Sequence, residues 1–256
     1  MLFKIEDYPL VYVAQPQFQQ IKYEAPIKLF DRVSDQIWAI FLDSANYEKP
    51  FQETNRYSYI VFSPFKTFTL KNGILLEDQT PIKDSFELLQ DYLQRFKSQK
   101  IDELPPFQGG LAGYFAYDMC HYLEKIPFAR NDDMDFPDFA IGFYDTVISF
   151  DHLTKKCWVL STGFPETEPN LQKLRSQTRL DEILSLLDKP SKASQENKIN
   201  ILSAEITANF NRESYKNSVQ QIKNYILEGD VFEVNLSQRF QTVLLEQSDP
   251  YLLYKK

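Results

Sequence analysis

The residues whose types and spacing could do chemistry are Glu233, Asn235, Ser237 and Arg239. They alternate with Phe232, Val234, Leu236 and Phe240, so a strand over 231–243 would place a carboxylate, an amide, a hydroxyl and a guanidinium on one face. Four such groups converging can wall a pocket for a polar ligand. The same alternation also describes a strand that turns its polar side to water. The residues alone leave both readings open.

A second candidate is Pro106 to Asp118 (PFQGGLAGYFAYD), which holds three of the seven glycines in the chain, at 109, 110 and 113. Glycines this concentrated mark positive φ or a close approach of two backbones. A phosphate loop would need a Lys-Ser/Thr pair and a helix start after the last glycine. Here Tyr114, Phe115 and Tyr117 follow instead. The spacing also departs from the dinucleotide-binding fingerprint. The segment therefore reads as a tight turn feeding an aromatic strand.

Other chemistries find little support. His121 and His152 are the only histidines, and neither stands in a zinc-type spacing. Cys120 beside His121 is no metal pair, because neighbouring side chains diverge. No Gly-x-Ser-x-Gly elbow occurs. The acidic run 131–138 lacks the glycine that a calcium loop needs at its sixth position, and reads as a solvated loop.

The elements that must position these groups follow from composition and pattern. Of 256 residues, 43% are hydrophobic, and 21 Phe and 15 Tyr favour a sheet-rich fold. A net charge of −8 argues against nucleic acid or an anionic membrane as partner. Cys120 and Cys157 form no disulfide framework, and the first residues lack a signal-peptide pattern, so a cytoplasmic setting is expected. No apolar run approaches the ~20 residues of a membrane span. Strands are predicted over 35–43 and 56–62. A hairpin over 67–76 turns at Asn72-Gly73, which suits a type I′ turn. A helix over about 84–98 has Asp84 and Glu87 as a capping box and Phe86, Leu89, Leu93 and Phe96 as its apolar stripe. A second hairpin is predicted from 139–150 and 157–162 around the loop 151–156, then a polar helix over 167–187. A helix over 212–228 carries Tyr215, Val219, Ile222 and Ile226 on one face and ends at Gly229. The polar stretch 189–205 reads as a linker between a first region, 1–188, and a second, 206–256. Ser248-Asp249-Pro250 signals a helix start close to the last residue. Together with the little sequence left to cover strand 231–243, this leads us to expect the front portion of a longer protein.

Four ordered segments then carry a resemblance. They are Asp43-Ser44 with 56–64 (RYSYIVFSP), 104–118 (LPPFQGGLAGYFAYD), 136–145 (FPDFAIGFYD), and Tyr215 through 229–240 (GDVFEVNLSQRF). Together they resemble the aminodeoxychorismate (para-aminobenzoate) synthase component I family, with the anthranilate synthase component I family as close kin. The wording of the second and third segments favours the para-aminobenzoate branch. The resemblance implies an α+β fold: a largely antiparallel two-sheet sandwich with outer helices. It implies conversion of chorismate and ammonia to 4-amino-4-deoxychorismate for folate synthesis. In such enzymes a lysine displaces the ring hydroxyl, and ammonia from a glutamine amidotransferase partner displaces the lysine. Carboxylate-held magnesium anchors the substrate.

The implied lysine, general-acid glutamate and magnesium glutamates fall after the Asn235-Leu236-Ser237 strand, beyond residue 256. No catalytic residue or metal is therefore expected in this chain, which is expected to be inactive alone. The resemblance also implies an amino-acid pocket of the tryptophan type at Ser44 and at Thr54, Asn55, Arg56 and Tyr57. Thr54 and Asn55 depart from the residues usual there, and Glu233 stands where relatives carry Gln. The alternatives are a fragment of an anthranilate synthase component I, or a non-catalytic module that binds tryptophan or a protein partner.

Overall fold

The computed structural model describes residues 13–44, 55–82, 86–127, 132, 134–190, 206–243 and 250–255. The chain divides into two compact units, Met1–Ala193 and Ser194–Lys256.

In the first unit the strands are β1 (Gln17–Ile21), β2 (Ile40–Leu42), β3 (Tyr57–Val61), β4 (Lys66–Lys71), β5 (Ile74–Glu77), β6 (Thr80–Ile82), β7 (Gly110–Phe115), β8 (Phe139–Tyr144), β9 (Thr146–Asp151) and β10 (Lys156–Ser161). The helices are α1 (Pro26–Phe30), α2 (Phe86–Arg95), α3 (Cys120–Leu123) and α4 (Pro169–Leu187). Two five-stranded sheets result, ordered β1-β10-β9-β3-β2 and β6-β5-β4-β8-β7, and every pairing in them is antiparallel. The fold is thus α+β with antiparallel sheets and helices outside them.

Local signals account for several elements. Asn72 and Gly73 both take positive φ, 50° and 75°, and close the β4–β5 hairpin. Glu168 caps α4 by accepting from the Asn170 and Leu171 amides. Buried Gln172, Ser176, Leu180, Ile183 and Leu187 line one side of α4, which packs on β1 and β10. Helix α2 covers the second sheet. Leu89 is buried there, Leu88 and Tyr92 pack beside it against Phe68 and Phe143, and the Phe96 ring lies 5.1 Å from Phe65. Leu93, expected in the stripe, is exposed, and Asp84 lies outside the described residues.

The apolar run over 139–150 is two strands, not one hairpin arm. Strand β8 belongs to the second sheet and β9 to the first, and Asp145 is the single residue between them. A continuous apolar run conceals this break because both strands are buried on both faces. Val61 and Val147 of the first sheet and Ala112 and Tyr144 of the second form one cluster beside the crossing. Glycine 113 lies inside β7 rather than in a turn. A Cβ there would stand 2.7 Å from the Ile141 Cα, against β8.

The strand expected over 35–43 shrinks to Ile40–Leu42. Trp38 takes the left-handed conformation, φ 53°, and turns the chain before extended pairing begins.

The second unit contains β11 (Thr207–Ala208), α5 (Arg212–Glu228), β12 (Phe240–Gln241) and α6 (Pro250–Tyr254). Helix α5 opens on a capping box between Asn211 and Ser214 and stops at Gly229 in the left-handed conformation. The strand expected over 231–243 is reduced to Phe240–Gln241, which pairs with Thr207–Ala208. Alternation supplies a face but not a ladder partner: among the described residues no strand ladders with 231–239, and the Asn209 amide bonds the Arg239 carbonyl at its end. Ser248 and Asp249 lie outside the described residues, as does most of the segment 189–205.

Candidate functional site

The base of the segment between β2 and β3 concentrates the polar contacts of the first sheet. Ser44 leaves β2. Its amide donates to Ser58 Oγ at 3.0 Å, and its hydroxyl donates to the Tyr57 carbonyl. Arg56 enters β3 beside it. Its Nη2 donates to Asp151 Oδ2 at 2.7 Å, and Nε donates to both carboxylate oxygens at 3.2 Å. The guanidinium also sits 4.8 Å from the Tyr57 ring centre. Asn55 is half-buried next to it, and Thr54 lies outside the described residues.

The Asp151 carboxylate is shared. Oδ1 also accepts from the Leu153 and Thr154 amides, closing the β9–β10 turn. Burial alone would raise its pKa, but the Arg56 bonds and those two amides hold it below the usual carboxylate range. The same ion pair raises Arg56.

His152 follows directly and is fully buried. Nε2 stands 2.7 Å from Ser58 Oγ and Nδ1 2.8 Å from the Tyr23 hydroxyl. Its amide donates to the Arg56 carbonyl at 2.8 Å. Burial lowers its pKa, and nearby Lys155 acts in the same direction, against the opposite pull of Asp43 and Asp151.

Sequence reasoning placed Ser44, Asn55, Arg56 and Tyr57 together, and they adjoin one another here. It missed Tyr23, Ser58, Asp151 and His152. Asp151 and His152 were read as a hairpin loop, and only the β3–β9 register, with Tyr57 opposite Asp151, brings them to Arg56. Glu233, Asn235 and Ser237 are exposed on the irregular segment before β12.

Two cavities lie elsewhere. One of about 620 Å³ runs along α4 between Gln36, Ser63, Arg179, Glu182 and Lys189. Another of about 430 Å³ is lined by Lys71, Asp118, His121, Tyr122, Asp132 and Asp138. There Tyr122 donates to Asp138 at 2.6 Å and accepts from the Gly73 amide, so these side chains brace the β4–β5 turn. Lys71 pairs with Asp132. Among the described residues no group of three His, Cys, Asp or Glu could hold a metal ion. No helix of the described residues is long and apolar enough to cross a membrane.

Comparison with known proteins adds five findings. The family model for chorismate binding enzyme matches residues 40–256. The chain is 28% identical to anthranilate synthase component 1 of Acetivibrio thermocellus, over 98% of this chain and 51% of that protein. It is 33% identical to anthranilate synthase alpha subunit 2, chloroplastic, of Arabidopsis thaliana, over 73% and 32%. With aminodeoxychorismate synthase component 1 of Escherichia coli (strain K12) the identity is 29%, over 82% and 44%. The crystal structure of anthranilate synthase component I from Streptococcus pneumoniae superposes with a TM-score of 0.65 at 25% identity, covering 81% of this chain and 46% of that one. The chain thus spans about a third to a half of the length of these relatives.

Proposed function

Because the chain belongs to the chorismate binding enzyme family, we propose that it is the front portion of component I of an aminodeoxychorismate synthase. That enzyme class joins chorismate and ammonia to give 4-amino-4-deoxychorismate, with a glutamine amidotransferase as the ammonia source. The family match through 40–256, which spans all four resembling segments, supports a chorismate-using component I, and the choice of branch rests on the segments themselves. The wording of 104–118 and 136–145 favours the para-aminobenzoate branch. These segments become the adjacent strands β7 and β8.

Within this reading the first unit binds rather than reacts. A zwitterionic amino acid such as tryptophan would meet the Ser44 hydroxyl and the Tyr57 ring at the base of the segment between β2 and β3. Arg56 is committed to Asp151 through Nε and Nη2, so it shapes the site more than it offers a bare cation. By the resemblance, the reacting lysine, the general acid and the magnesium carboxylates fall after the Asn235-Leu236-Ser237 segment. The 256 residues alone are therefore expected to leave chorismate unchanged.

An anthranilate synthase is the second reading. Relatives bearing that name in Arabidopsis thaliana and Acetivibrio thermocellus, and the Streptococcus pneumoniae structure, favour it. Product analysis separates the two. The natural gene product is given chorismate, magnesium and ammonia, and the product is identified by mass and fluorescence. Release of 4-amino-4-deoxychorismate is expected, and fluorescent anthranilate would overturn the branch. Turnover by the 256 residues alone would overturn their assignment as non-catalytic.

A further inference from the structure

We infer that Tyr23, Ser58 and His152 are positioning residues that act in series on the Ser44 backbone. The inference deepens the amino-acid pocket just proposed and rests on that reading for its purpose, though not for its geometry. The chain of contacts is continuous: Tyr23 hydroxyl to His152 Nδ1 at 2.8 Å, His152 Nε2 to Ser58 Oγ at 2.7 Å, and Ser58 Oγ to the Ser44 amide at 3.0 Å.

Counting protons assigns the direction. Ser58 is fully buried, and among the described residues its hydroxyl bonds the Ser44 amide and His152. It accepts from Ser44, so its own proton has one destination, His152 Nε2. His152 is then the neutral tautomer with its proton on Nδ1, donating to the Tyr23 oxygen. A proton on Nε2 would leave the Ser58 oxygen accepting twice and its own buried proton without an acceptor, at a cost of about 1–3 kcal/mol. Lys155, 5.2 Å from the centre of the Tyr23 ring, disfavours a second charge here, while Asp43 and Asp151 favour it. Removing the Tyr23 oxygen takes away the Nδ1 partner at 2.8 Å. The imidazole is then free to reorient, and the Ser58 hydroxyl that it holds against the Ser44 amide moves with it.

The test is the substitution Tyr23→Phe in the chain, which removes one oxygen and keeps the ring against Phe150, with His152→Phe as a second variant. Ring-nitrogen NMR of the parent at neutral pH is expected to show Nδ1–H. Tyr23→Phe is expected to shift the His152 ring signals and the Ser44 amide together, although Tyr23 does not touch Ser44. A parent Nε2–H tautomer, or a Ser44 amide that stays in place in both variants, overturns the inference. Titration with L-tryptophan separates the underlying reading. A several-fold weaker affinity in Tyr23→Phe at unchanged melting temperature supports both. Equal affinity in parent and variant overturns the positioning role. If the parent does not bind tryptophan, the pocket reading falls, and the coupling is decided by the Ser44 and His152 signals alone.

Discussion

Replacing Gly113 by Ala should unseat the junction of β7 and β8. An added Cβ would overlap the Ala140 carbonyl oxygen, stand 2.7 Å from the Ile141 Cα and reach 3.0 Å from the Ala140 carbonyl carbon. All three are backbone atoms of the paired strand, so no rotamer change relieves the clash. The strands must separate by roughly 1 Å, which stretches the ladder bonds flanking the Gly113–Ile141 pair. Overpacking of this kind costs about 1–3 kcal/mol. The φ of +152° adds strain of the same order for an L side chain. Each weakened ladder bond adds about 0.5–1.5 kcal/mol. The total is about 3–9 kcal/mol, a large part of the ~5–15 kcal/mol typical of a domain. Gly73→Ala is the control. Its φ is +75°, and nothing lies within 4 Å of the added atom, so it should cost only about 1 kcal/mol. Urea unfolding followed by tryptophan fluorescence measures both, since Trp38 and Trp158 both lie in the first unit. If Gly113→Ala costs no more than Gly73→Ala, the close approach of the two backbones is not what the glycine serves.

Asp151→Asn should cost about 1–3 kcal/mol by the same assay, because it weakens the charge-assisted bonds to Arg56 and two turn amides. A loss below about 0.5 kcal/mol would mean the clamp is idle. His152 contributes stability of a definite pH sign. Its folded pKa lies below the ordinary ~6.5, so the unfolded chain binds more protons there. Stability is full above about pH 6.5 and is lost as pH falls through the folded pKa, and His152→Phe should flatten that fall. A parent with equal stability at pH 7 and pH 5, relative to His152→Phe, would contradict it. Asp145 has the opposite sign. Burial pushes its carboxyl up despite Arg179 and Arg175, so its ionisation removes stability as pH rises from the ordinary ~4. Asp145→Asn should therefore gain on the parent between pH 4 and 8, and a flat difference across that range would refute the burial argument.

What was legible in the sequence was what neighbours along the chain decide. The β4–β5 turn needs only Asn72 and Gly73, and α5 needs only its Asn211–Ser214 box and Gly229, so both stand where the residues place them. The misses at 139–150, at 231–239 and in the site share one cause: each depended on a partner far along the chain. The apolar run 139–150 looks like a single strand because nothing local marks Asp145 as the crossing. Its burial against α4, through Arg175 and Arg179, exists only after the helix docks. Residues 231–239 have clean alternation and form no ladder with the described residues, because a strand is a pairing and alternation describes only one member of it. The site divides in the same way. Ser44 and Arg56 drew notice through resemblance. Asp151 and His152 looked like a turn, since an Asp that ends an apolar strand ordinarily caps one. Here it does cap one, through Leu153 and Thr154, while its other oxygen takes the Arg56 Nη2 bond. One side chain thus meets a local need that sequence displays and a distant need that only the β3–β9 register creates. A polar pair ending a wholly apolar strand merits testing against every neighbouring strand's first residues before it is assigned to its own turn.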